Sequence, residues 1–105
     1  MKILLDECIP RKFRRSFPGH DSETVPGPGF AGKKSELLPL AERAGFEVFL
    51  TIDQGIEFQQ NLAGRNIAIL ILRAKSNQLD DLLPLVDDCS HKMLGIRPGQ
   101  VLKVG

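Results

Sequence analysis

With 105 residues, 42% of them apolar and 26% charged, the chain has the make-up of one globular domain spanning residues 1–105, without linker or low-complexity tail. A formal net charge of +1 excludes attraction to nucleic acid or membrane through overall charge, so any such attraction must be local. The first apolar run is cut off by Asp6 and Glu7 too soon for a signal peptide or membrane span, which points to a cytoplasmic protein with no membrane partner.

Residues 2–5 read as a strand buried on both faces. Pro10 suits the first position of a helix on which Ile9, Phe13 and Phe17 share a face, and Phe17-Pro18-Gly19 ends it. A weak strand is expected at 23–25, then a Pro- and Gly-rich loop at 26–32. Ser35 is the expected N-cap of a helix running to about Ala44 with Gly45 as its stop, and Pro39 predicts a distorted start. A second strong strand covers 47–52. A short helix at 56–62 follows, then the most strand-like run, 66–72, expected to be central. With Asn77 as cap, Leu79, Leu82, Leu83, Val86 and Met93 line the next helix, which Pro84 kinks or restarts. Residues 100–104 read as an edge strand. Strands alternating with helices predict a three-layer α/β/α domain with a mainly parallel sheet of four to five strands.

Both strong strands end in carboxylates, Asp6-Glu7 and Asp53. Carboxyl ends of parallel strands are where α/β folds bind ligands, and adjacent strands would bring Asp6 and Asp53 together. Side chains alternate along a strand, so Asp6 is assigned to the cleft and Glu7 to a helix start or to solvent. Glu36, in the first turn of its helix, suits the helix dipole and can also reach the same edge. Three oxygen ligands with room for water suit Mg²⁺ or Mn²⁺. Cys8, Cys89, His20 and His91 have no zinc spacing, and the cysteines read as small buried hydrophobes. Gly27 to Lys33 satisfies GxxxxGK, but Lys34 stands where a phosphate-binding loop needs Ser or Thr, and Pro28 removes an N–H from the cradle.

Arg11, Lys12, Arg14 and Arg15 crowd the first helix, and Lys33, Lys34, Arg73 and Lys75 lie on loops assigned to the same edge. Such a run can be a merely solvated face. A basic rim around an acidic centre is also what a nuclease needs, with cations holding phosphates and acids holding metal. On an α-helix Arg11, Arg14 and Arg15 would share a face, with Lys12 turned away by about 100°.

Leu4-Leu5-Asp6-Glu7-x-x-Pro10, Ser35-Glu36-Leu37-Leu38-x-Leu40-Ala41 and Phe49-Leu50-Thr51-Ile52-Asp53 together resemble the short PIN-like domains of bacteria, from Met1 to about Leu72. These are Mg²⁺- or Mn²⁺-dependent ribonucleases, often the toxin half of toxin–antitoxin pairs. The resemblance implies a sheet with the first strand central, Asp6, Glu36 and Asp53 as catalytic metal-binding acids, an RNA substrate and a small antitoxin partner. A second copy of the chain is a further candidate partner. Two departures stand out. Cys8 occupies a position where these domains usually have Asn, and Gly55 replaces a repeated acid, for which Glu57 or Glu7 would have to substitute. The alternatives are an inactive PIN-like binding module and a receiver-like phosphoacceptor domain. The receiver reading is opposed by Arg73, where Ser or Thr is wanted.

Overall fold

The computed structural model describes residues 1–24, 34–52 and 65–105, the first four residues of the helix at 34–43 by backbone alone. Five strands, β1 (Lys2–Leu5), β2 (Asp21–Thr24), β3 (Val48–Thr51), β4 (Ala68–Leu72) and β5 (Val101–Val104), form a sheet of order β2-β1-β3-β4-β5. Every described pairing is parallel. The expected α/β fold with a parallel sheet is therefore present. The first strand is interior but not the middle one; that place belongs to β3. The run at 66–72 is interior as β4, and the strand at 100–104 lies at an edge as β5. The short helix expected at 56–62 and the loop at 26–32, with its GxxxxGK sequence, lie outside the described residues.

Strand alternation builds two cores. Ile3, Leu5, Val48, Leu50, Ala68, Leu70, Leu72 and Val104 point to one side, where Ile9, Phe13, Phe17, Leu82, Cys89 and Met93 cover them. On the other side Leu4, Phe49, Ile69 and Ile71 pack with Leu38 and Ala41 of α1 (Lys34–Arg43) and with Phe46. This explains why the inner strands read as continuous apolar runs: both faces are buried.

The first connection differs from the expected α-helix. Arg11–Ser16 is a 3-10 helix, and Pro10 precedes it as N-cap, its carbonyl accepting from Phe13 N–H at 2.9 Å. Residues 6–20 must run back along the strand from the end of β1 to the start of β2. A 3-10 segment rises about 2.0 Å per residue against 1.5 Å for an α-helix, so it spans that length with fewer residues. The expected apolar face is present: Phe13 and Phe17 are buried with their rings edge to face at 5.4 Å.

Helix α1 includes Ser35, so Ser35 is not the cap before it, and Pro39 lies within the helix. Its end is a Schellman arrangement: Gly45 N–H bonds Glu42 O and Phe46 N–H bonds Ala41 O, each at 3.0 Å, with Gly45 at φ +87°. Phe46 and Ala41 pack in the same core. A Cβ at position 45 would meet nothing within 4 Å, so only backbone strain opposes it. Gly45→Ala should therefore cost about 1 kcal/mol in urea unfolding without altering the site.

After β4 the chain forms α2 (Leu79–Leu82), a 3-10 turn (Leu83–Leu85) holding Pro84, and α3 (Val86–Met93). Pro84 thus restarts the helix, and the phase change turns Leu83 out to solvent while Cys89 takes a buried place. Burial pushes the Cys89 thiol up to about 12, with Asp88 adding to the effect, so Cys89 is a protonated core residue. Asn77 is not the cap; that position is Gln78, and Asn77 is used elsewhere. Among the described residues no helix is long and apolar enough to cross a membrane.

Candidate functional site

The chain leaves β1 first to one side, for β2, and later to the other, for β3. In parallel sheets the crevice beyond the carboxyl ends at such a reversal is the usual ligand site. Here it lies between the ends of β1 and β3, and Asp6 and Thr51 stand at it.

Asp6 extends the ladder by one step, its N–H donating to Leu50 O at 2.8 Å, which sets it beside Thr51. The carboxylate is 6% exposed. Its Oδ1 accepts from Glu7 N–H at 2.8 Å and its Oδ2 from the buried Thr51 hydroxyl at 2.7 Å. Glu7 is exposed, as the alternation of side chains predicts. Cys8 also reaches this point. Burial chiefly, then the neighbouring Asp6 carboxylate, raise its thiol above the ordinary range, while the Ile52 backbone and Thr51 lower it. Cys8 is half-buried, packed against the core below the edge and not fully within it. The loops after β1 and β4 meet nearby, where Asn77 Nδ2 donates to Cys8 O at 3.1 Å.

The Asp6 carboxylate is held by neutral donors. Among the described residues no Lys, Arg or His forms an ion pair with it. A buried carboxylate without a cation is costly, and folded proteins meet that cost with a paired cation or a metal ion. The carboxylate and hydroxyl oxygens at this edge suit a hard cation.

The other two acids are placed in part. Helix α1 returns to the amino edge, where Glu47 N–H meets Lys2 O, so its first turn, with Glu36, lies toward the carboxyl edge. Leu38 and Ala41 put α1 on the sheet face of Leu4 and Phe49, and strand alternation puts Asp6 and Thr51 on that face too. The Glu36 side chain, and Asp53 and Glu57 altogether, lie outside the described residues, as does Lys33; so does the side chain of Lys34. Asp53 follows two positions after Thr51. Among the described residues no three His, Cys, Asp or Glu side chains are grouped to hold a metal.

Of the basic residues, Arg11, Lys12, Arg14, Arg15, Arg73 and Lys75 are exposed. Arg73 directly follows β4 and so stands at the carboxyl edge. The 3-10 pitch corrects the expected grouping on the first connection: side chains three apart eclipse, so Arg11 aligns with Arg14, and Lys12 with Arg15. A cavity of about 250 Å³ lined by Met1, Glu47, Ala68 and Arg97 lies at the opposite, amino edge.

Thr51, Cys8 and Asn77 are the residues that sequence reasoning passed over at this edge. The signal for Thr51 was a hydroxyl closing an otherwise apolar buried run, Val48-Phe49-Leu50-Thr51. Cys8 and Asn77 carry no such signal; their contacts come from the meeting of two loops. Compared with models of protein families, with curated proteins and with solved structures, the chain matches none.

Proposed function

We propose that the protein is a cytoplasmic, metal-dependent ribonuclease of PIN-like type, with Asp6, Glu36 and Asp53 as its metal-binding acids. The observation that carries this reading is the buried Asp6 carboxylate at the sheet's switch point, held by neutral donors and paired with no described cation. Mg²⁺ or Mn²⁺, when bound, would supply Lewis acidity and a nucleophilic water at neutral pH. The chain's own contribution is to fix Asp6 through Thr51 and Glu7 N–H, to present Glu36 from the first turn of α1, and to hold phosphates with the exposed cations. A small antitoxin covering the cleft is the regulator this reading implies.

Titration calorimetry with Mn²⁺ should give weak binding, because Gly55 stands where related domains carry a further acid. RNA cleavage should stop in EDTA and return with Mn²⁺. RNA binding without cleavage at any Mn²⁺ concentration would favour an inactive binding module. Labelling by a small phosphodonor would favour a phosphoacceptor.

A further inference from the structure

The four cations of the first connection follow two patterns. All are exposed, and among the described residues none forms an ion pair. The formal charge of +1 includes them, so the rest of the chain sums to −3 and the positive charge is concentrated here. The 3-10 pitch sorts them into two parallel rows, Arg11 with Arg14 and Lys12 with Arg15, while Phe13 and Ser16 form the third row. Phe13 is fully buried, so the cationic rows are the two that face away from the core. Within each row the charges are about 6 Å apart along the axis. Like charges so eclipsed repel, and nothing described on the protein neutralises them.

We infer that these rows hold successive phosphates of one RNA strand leading from the carboxyl-edge cleft. The inference rests on the ribonuclease reading. Each row sets two cations along the path of a backbone that carries one negative charge per nucleotide, and the connection bearing the rows leaves the carboxyl edge at Asp6, five residues before Arg11. Arginine, which supplies three of the four, presents a planar fork matched to phosphate oxygens.

The test is binding of a fluorescent, unstructured RNA oligonucleotide to the full chain in EDTA, over a salt series. Wild type is compared with Arg11→Ala/Arg14→Ala and Lys12→Ala/Arg15→Ala. Arg43→Ala/Arg97→Ala, which removes two exposed cations from elsewhere, serves as control. Each row variant should lower the slope of log affinity against log salt by about 1.4, equal to about 25-fold in affinity over a tenfold change of salt. The control should leave the slope unchanged, and melting temperatures should stay close to wild type because the charges are exposed. Unchanged slopes in both row variants would overturn the inference, as would an equal loss in the control. So would row variants that keep RNA affinity but lose an acidic polyglutamate peptide, which would make this a docking face for protein. Cleavage with Mn²⁺ is scored separately: its absence alongside the expected slopes would remove the ribonuclease reading and leave the RNA surface standing.

Discussion

Asp6→Asn is expected to lower Mn²⁺-dependent RNA cleavage by about a hundredfold or more while leaving the fold intact. Lewis-acid stabilisation of a transferring phosphate supplies several kcal/mol, and every 1.36 kcal/mol lost is tenfold in rate. The amide keeps the shape, can still accept from Glu7 N–H and can donate to the Thr51 oxygen once that hydroxyl rotates. It also removes a buried charge that meets no described cation, so in EDTA the variant should melt at or above the wild-type temperature. Asp6→Ala isolates the structural share. It removes the acceptor of the Glu7 N–H and of the buried Thr51 hydroxyl, two hydrogen bonds to a carboxylate each worth about 1–3 kcal/mol. A total loss of about 2–6 kcal/mol is expected, a large part of the 5–15 kcal/mol typical of a domain. Cleavage by Asp6→Asn at the wild-type rate would remove Asp6 from the metal site. Unfolding of Asp6→Asn would make the carboxylate a structural cap and nothing more.

The parts of the fold that were legible are those whose signal is local. A strand buried on both faces must be apolar throughout, so β1, β3 and β4 announced themselves, and Gly45 marked the end of α1 because only it takes φ +87° easily. The pitch of the first connection was not legible. Ile9, Phe13 and Phe17 recur every four residues, which reads as an α-helix, whereas the 3-10 form answers to the distance between the end of β1 and the start of β2. That distance is a tertiary quantity. The exposure of Leu83 has a related cause: the chain tightens to a 3-10 turn at Leu83–Leu85 around Pro84, which rotates Leu83 off the apolar face, while Val86 and Met93 beyond it keep the expected side. At the site, Asp6 was visible as an acid ending an apolar run. Its partnership with Thr51 depends on the pairing Leu5↔Leu50, a register that no single segment encodes.

Thr51→Val is expected to weaken Mn²⁺ binding by 10- to 100-fold, the usual consequence of losing a group that orients a metal ligand. The hydroxyl donates to Asp6 Oδ2 at 2.7 Å from a fully buried position in the strand beside it. Valine has nearly the same shape, so the strand and its pairing beside Ile71 are kept, and what is lost is the donor. Oδ2 then loses its fixed partner, which costs about 1–3 kcal/mol of stability and frees the carboxylate to rotate away from the cleft. Two comparisons separate positioning from mere support. Thr51→Ser restores the hydroxyl and should recover Mn²⁺ affinity, although the missing methyl leaves it about 1 kcal/mol less stable. Saturating Mn²⁺ should recover much of the cleavage rate of Thr51→Val, because the ligands themselves remain, whereas it should not rescue Asp6→Asn. A Thr51→Val protein that melts lower yet binds Mn²⁺ as tightly as wild type would show that the hydroxyl serves the fold alone.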